Sequence, residues 1–450
     1  MSDRQAPLVA QSTPLAPARP RLGLWTLTAL VVGNMIGSGV FLLPASLAPY
    51  GGISIIGWLF TTAGALLLAL SFARLSRMVP GAGGPYAYTR AGFGDFTGFL
   101  IAWGYWISIC AGNAAIATAF VGYLAVFVPP LAATPGAAAA AALAAIWMLT
   151  WVNALGVKRA GLVQLATTVL KLLPLAAIAL FGFARFEPAH FVPFNPTSQG
   201  HFGALTAAAA LTLWAFLGLE SATVPADDVH EPERTIPRAT ILGTLLASVV
   251  YVVATVAVMG VVPRADLATS TAPFADAAQA FWGEWGRYLV GAGAVISCFG
   301  CLNGWILLQG QLPYAAARDG LFPSIFAGRS RSGAPTRGLV VSSAFVTVLI
   351  LFNYTRSLVD LFTFVVLLAT LTSLVPYLFS TMSEVLILAG PASGPRGRFC
   401  GIAPRRLLAA ALAFAYALWA IAGSGMETVY WGFLLLMAGI PVYVVIRSSR

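Results

Sequence analysis

The chain has 450 residues, 59% of them hydrophobic and only 9% charged, with a mean hydropathy of +0.85 and a formal net charge of +10. A soluble globule carries about 25% charged residues, so this chain lacks the polar groups to cover a water-facing surface and reads as a polytopic membrane protein. Its apolar runs reach about 20 residues or more, which fits spanning helices and not the weak ten-residue alternation of a membrane β-barrel.

Residues 1–22 are rich in Pro and Ala with scattered Arg, and no apolar core precedes a cleavage site. They read as a disordered cytoplasmic tail rather than a signal peptide. Twelve spans are expected after it, at 24–47, 53–76, 97–128, 136–154, 161–183, 203–225, 239–262, 280–313, 338–354, 358–388, 405–423 and 428–447. Only short loops separate them, so 23–447 is expected to form a single membrane domain. The basic residues cluster on one side. With the N-terminus inside, every Lys and Arg falls cytoplasmic except Lys171, which lies within a span, and Arg185, Arg264, Arg287 and Arg356. The positive-inside rule then puts both termini in the cytoplasm of a cell inner membrane. The same placement argues against nucleic acid as the partner of the positive charge.

The first span is interrupted by Gly33-Asn34-Met35-Ile36-Gly37-Ser38-Gly39. A helix broken at mid-membrane frees backbone N–H and C=O groups, tolerable only against protein or a water-filled cavity. The freed N–H groups near Ile36 to Gly39 can bind a carboxylate, helped by the positive end of the next half-helix. The bland alternative is small-residue packing between helices, with Gly33 and Gly37 four apart. A short match extends the pattern to the sixth span, because GSGVFLLPA (37–45) aligns with GLESATVPA (218–226), setting Gly37 on Gly218 and Pro44 on Pro225. Five spans separate the copies, so they enter the membrane from opposite sides. Interrupted spans at matching positions of an inverted repeat point to a transporter's binding site. Carbonyls around Ala215 to Gly218 would then take an α-ammonium.

Two ionisable residues stand out at membrane depth. An acid such as Glu220 costs about 2.5–3.5 kcal/mol there even on the lenient insertion scale, and is functional by default. Lys171 lies too deep to snorkel and needs carbonyls or an acid nearby. Cys298 and Cys301 form a C-x-x-C inside a span, read as helix packing. Glu384 is expected to face an interface or pair with a loop Arg, and Asp227, Asp228, Glu231 and Glu233 to form a solvated face that pairs with loop arginines. The histidines, His190, His201 and His230, fall in or beside loops, and no metal-ligand cluster or nucleotide loop is visible. No cofactor or metal is expected, and a membrane-embedded hydrolase is disfavoured.

The motifs GNMIGSGVFLLPASLA, GGPYAYTRAGFG, LWAFLGLESATV, PERTIPRATILG, TAPFADAA and AARDGLFP, in this order, resemble the amino acid–polyamine–organocation superfamily. Within it the chain is similar to the basic amino acid/polyamine antiporters, and nearest to the arginine/agmatine branch. The resemblance implies an all-α integral membrane fold with a LeuT-like inverted five-plus-five repeat (23–183 and 203–388) and two additional helices (405–447), often as a homodimer. It implies secondary active exchange of a cationic amino acid for its amine product, without enzymatic activity. A proton-coupled or exchange carrier of neutral amino acids is the alternative. By resemblance Asn34, Ile36, Ser38 and Gly39 form the carboxylate turn. Tyr105 and Asn113 belong to the third span, with Asn113 on the substrate's polar groups. Trp214 and Trp305 are aromatics of the site, Leu217 and Gly218 the unwound turn, and Glu220 a gating, pH-linked acid. The chain departs from the arginine/agmatine pattern at Ile109, Ile116 and Ala369, and at Lys171, where other branches place a lysine that substitutes for a sodium ion. Such a lysine is expected to face the first span rather than Glu220.

Overall fold

The computed structural model describes residues 21–198, 200–270, 273–353, 358–390, 402–423 and 426–448. Most of the expected tail, 1–20, lies outside them. Its last residue, however, is part of the fold. Leu22 is buried and bridges to Val229, its N–H donating to the Asp228 carbonyl (2.7 Å) and its carbonyl accepting the His230 N–H (2.9 Å). An apolar side chain so close to the first helix gains by packing under the loop, so the fold includes Leu22, within the stretch expected to be a tail.

The helices run in chain order α1 (Leu24–Met35), α2 (Ser38–Leu47), α3 (Ile53–Met78), α4 (Pro85–Phe93), α5 (Asp95–Leu124), α6 (Pro130–Ala133), α7 (Pro135–Ala154), α8 (Val157–Gly182) and α9 (His201–Leu213). They continue as α10 (Pro232–Val261), α11 (Arg264–Thr269), α12 (Pro273–Trp282), α13 (Glu284–Arg318), α14 (Thr336–Asn353), α15 (Leu358–Leu388), α16 (Pro404–Gly423), α17 (Met426–Met437) and α18 (Gly439–Ser448). Among the described residues nine helical stretches are long and apolar enough to cross a membrane. Three shorter apolar ones are Leu24–Met35, Thr336–Phe352 and Thr372–Leu388. The short helices α4 and α12 replace what reads in sequence as loop. Proline fits the first turn of α4, α7 and α10, where its missing N–H has no helical partner to lose.

Burial ranks the helices from centre to lipid. The apolar window of α13 is 72% buried and that of α5 67%, against 28% for Pro404–Ala422 and 17% for Val429–Ser448. The core therefore sits around α5 and α13, which pack on each other, while α5 also packs on α15, α13 on α8, and α1 on both α8 and α10. Small residues permit the close crossings: a Cβ at Gly243 of α10 would come within 2.7 Å of the Val31 side chain of α1.

Candidate functional site

The first span breaks where its glycines suggest. The Ile36 N–H closes the last turn of α1 on the Val32 carbonyl (2.8 Å), Ile36 and Gly37 leave the helix, and α2 restarts at Ser38. The N–H groups of the first turn of α2 therefore have no helical partner. On the other side of the break the carbonyls are occupied. Lys171, wholly buried on α8, donates from Nζ to Gly33 (2.8 Å) and Ile36 (2.5 Å), and Ser297 Oγ of α13 also donates to Ile36 (3.2 Å). The Asn34 carbonyl accepts from Trp305 Nε1 (3.2 Å) and Cys301 Sγ (3.3 Å).

The second break follows α9. Trp214–Phe216 tightens into a 3-10 turn, Leu217 is extended, and Gly218 adopts φ +104°, a left-handed conformation that favours glycine. A Cβ at Gly218 would also approach Asn34 Cβ at 3.1 Å and Trp305 Cζ2 at 3.2 Å. The two breaks therefore touch, and the Asn34 amide ties them by donating to Ser221 Oγ (2.8 Å). Two of the four carbonyls expected to be free here have partners: Ala215 accepts from Tyr251 (2.9 Å), and Gly218 from the N–H (3.0 Å) and hydroxyl of Ser221. Local bonding by Ser221 and a tyrosine from α10 thus satisfies two carbonyls that would otherwise be orphaned.

Between the breaks lies a cavity. Of the residues singled out from sequence, Asn34, Gly39, Trp214, Leu217 and Trp305 line it. Ile116 and Ala369, two of the four positions that depart from the resemblance, line it as well, whereas Ile109 and Lys171 do not; Ser108, Gly112 and Ser373, which sequence reasoning passed over, complete that wall. Gly39 permits the close seat of Trp214, since a Cβ there would lie 2.7 Å from the indole Cδ1. Asn113 is not brought to the cavity. Its Nδ2 donates to Gln309 Oε1 of α13 (2.7 Å), because it follows Gly112 by one residue and so points about 100° away from the Ser108–Gly112–Ile116 stripe. Cys301 reaches beyond packing, since it also lines the cavity beside Asn34.

Glu220 does not line the cavity. It is fully buried, one carboxylate oxygen accepting from the Tyr105 hydroxyl and the other from that of Tyr377 on α15. Tyr377 also accepts the Gly218 N–H (3.1 Å), coupling the acid's environment to the second break. Glu220 and Lys171 form no ion pair; each is held by its own set of groups.

Beyond Glu220, a polar network closes the end of the molecule that carries Asp227. Arg318 pairs with Asp227. Arg329 forks onto Asp228 (2.9 and 3.2 Å), which also accepts from Gln311 Nε2 (3.0 Å). Arg90 pairs with Asp95 (2.9 Å) and Asp319 (2.6 Å), and Tyr86 donates to Asp319 (2.9 Å). Burial, and then the Asp319 carboxylate, push the Tyr86 phenol up. Asp228 is thus buried rather than part of a solvated face, because Arg329 folds over it and stacks on the Tyr314 ring at 4.4 Å. Glu384 is likewise buried, and its partners, Arg74 and Ser71 (2.6 Å), come from α3 rather than a loop.

Comparison with known proteins gives this geometry its family. The model of the amino acid permease family matches residues 22–447. The chain is 39% identical over 376 residues to a cadaverine/lysine antiporter of Escherichia coli strain K12, covering 81% of this chain and 83% of the relative. It is 34% identical over 425 residues to the putrescine transporter PotE of the same strain, covering 94% and 95%. It is 33% identical over 429 residues to the PotE of Haemophilus influenzae, covering 94% and 96%. The chain therefore belongs to the amino acid permeases of the amino acid–polyamine–organocation superfamily, among the basic amino acid/polyamine antiporters, and is a multi-pass membrane transporter rather than an enzyme.

Proposed function

We propose that the chain exchanges a cationic amino acid for its decarboxylated amine across the bacterial inner membrane by alternating access. The observation that carries this reading is the meeting of two broken helices at a cavity walled by Trp214 and Trp305. In this reading the N–H groups at Ser38 and Gly39 take the substrate carboxylate, and the two indole faces attract its cationic end. The Tyr105–Glu220–Tyr377 layer closes one end of the cavity, and Lys171 fixes the broken turn of the first span as a resident cation. Twelve spans in an inverted five-plus-five repeat with two further helices, both termini cytoplasmic and two copies per assembly, complete the proposal.

The motifs favour arginine and agmatine, whereas the relatives are named for cadaverine, lysine and putrescine. Lysine and a diamine are the pair we favour. A second reading, carriage of neutral amino acids, draws on the apolar wall contributed by Ile116, Leu217 and Ala369. Uptake of labelled lysine into proteoliposomes loaded with cadaverine, with competition by arginine, agmatine, putrescine, alanine and leucine, separates the readings. Dominant inhibition by leucine or alanine would overturn the cationic one.

A further inference from the structure

The cavity wall contributed by α5 and α15 carries a hydroxyl pair. Ser108 Oγ and Ser373 Oγ are 2.6 Å apart, both side chains are buried, and both residues line the cavity. Ser108 also donates to the Ala369 carbonyl (2.8 Å). A hydroxyl has one proton and two lone pairs. With the Ser108 proton on Ala369, the short contact is Ser373 donating to Ser108. Three acceptor lone pairs then remain, two on Ser373 and one on Ser108, and no donor. An alkylammonium carries three donors and no acceptor, on a compact point charge. A guanidinium spreads five donors over a planar fork that matches a carboxylate rather than two adjacent hydroxyls.

The pair also sits over the buried acid. Tyr105 precedes Ser108 by three residues on α5, and Tyr377 follows Ser373 by four on α15, so about one helical turn separates each serine from a tyrosine that donates to Glu220. No carboxylate lines the cavity among the described residues. A cation at the serines would therefore face lone pairs directly and the Glu220 carboxylate through one layer of tyrosines.

We propose that Ser108 and Ser373 form the subsite for a terminal primary ammonium and make the cavity select an ω-amino group over a guanidinium. This rests on the cationic-substrate reading above.

The test is a residue-by-ligand cycle in purified full-length protein, measuring binding of lysine, norleucine (lysine without its terminal amine), cadaverine and arginine. Wild type binding lysine at least tenfold more tightly than norleucine supports the cationic reading; equal binding overturns that reading and the subsite with it. Given that preference, Ser373→Ala and Ser108→Ala are each expected to weaken lysine and cadaverine about tenfold or more, the scale of a hydrogen bond to a charged group. Norleucine and arginine should shift less than threefold, and Ser373→Thr, which keeps the hydroxyl, should recover most of the affinity. Equal weakening of lysine and norleucine, or of lysine and arginine, overturns the subsite while leaving the cationic reading intact. Thermal unfolding in detergent accompanies each variant. If Ser373→Ala does not fold, Ser108→Ala and Ser373→Thr decide the matter.

Discussion

The Nζ of Lys171 donates to the carbonyl of Ile36, the residue at which the first helix stops. A buried side chain on α8 thereby satisfies backbone groups that the break in α1 releases. Glu220, held by two tyrosine hydroxyls, belongs to a different set of contacts. Removing the charge at Lys171 should therefore take its donor from the Gly33 carbonyl, and leave the Ile36 carbonyl with Ser297 alone, without disturbing the acid. We expect Lys171→Met to lower thermal stability and slow exchange, and Glu220→Gln to act separately. In a double-mutant cycle on stability, the two effects should add within about 0.5 kcal/mol. A coupling of several kcal/mol would mean that the two charges sense each other directly.

The two tyrosines on Glu220 are unequal. Tyr105 serves the carboxylate alone, whereas Tyr377 also accepts the Gly218 N–H. Tyr377→Phe strips one buried carboxylate oxygen and one buried N–H of their partners, each a loss of about 1–3 kcal/mol. Tyr105→Phe strips only the former. Both variants should be less stable than wild type, with Tyr377→Phe the worse of the two and the more damaging to binding. Comparing melting temperatures and substrate affinity of the two variants checks the order.

The break in the first span and the need of its lysine for partners were legible in the sequence, and what was not has physical causes. Three glycines, an Asn and a Ser in an apolar run mark the break at Ile36 and Gly37, because they weaken a helix at membrane depth. A lysine ten residues from the interface had to meet carbonyls or an acid, and it meets carbonyls. Tyr377, by contrast, looks like any aromatic in an apolar helix, and its partner lies 157 residues away. The available signal was periodicity: Ala369, Ser373 and Tyr377 recur every fourth residue, as do Ser108, Gly112 and Ile116, giving two facing stripes. The same spacing excludes Asn113. The start of α10 at Pro232 was hidden because charged residues at 231–238 read as loop, although a helix leaving the bilayer can carry them.

At the far end, Asp228 and Arg329 form a pair shielded from water, and the Asp228 carbonyl accepts the Leu22 N–H. Breaking a buried pair from one side leaves an uncompensated charge and costs about 3–5 kcal/mol. Arg329→Met should thus destabilise the fold far more than Arg234→Met, whose arginine is largely exposed and pairs loosely with Glu231 at 3.7 Å. Asp228→Asn combined with Arg329→Met should recover part of the loss, since the orphaned charge is gone. Thermal unfolding of the three variants reads this out.

Gly39 and Trp214 offer the sharpest test of the cavity, since one makes room for the other. A Cβ at position 39 would fall 2.7 Å from Cδ1 and 2.8 Å from Nε1 of the indole, closer than side-chain carbons approach. Gly39→Val must therefore displace Trp214 and place two methyl groups over the first-turn N–H groups of α2. We expect the variant to insert and fold, because the displaced atoms belong to a partly buried side chain at a cavity wall, yet to lose substrate binding by calorimetry. Trp214→Leu alone should cost about 0.5–2 kcal/mol of affinity for a cationic substrate, the range of a cation–π contact, and Trp214→Phe less. The informative variant is the double one. If Gly39→Val acts only by pushing the indole, Gly39→Val with Trp214→Leu should bind about as well as Trp214→Leu. If it acts by covering the N–H groups, the double variant should stay inactive. We expect the second result, because the methyl groups cover the N–H groups whether or not the indole is present. Full recovery in the double variant would remove the turn at Gly39 from substrate contact and leave it a spacer for Trp214.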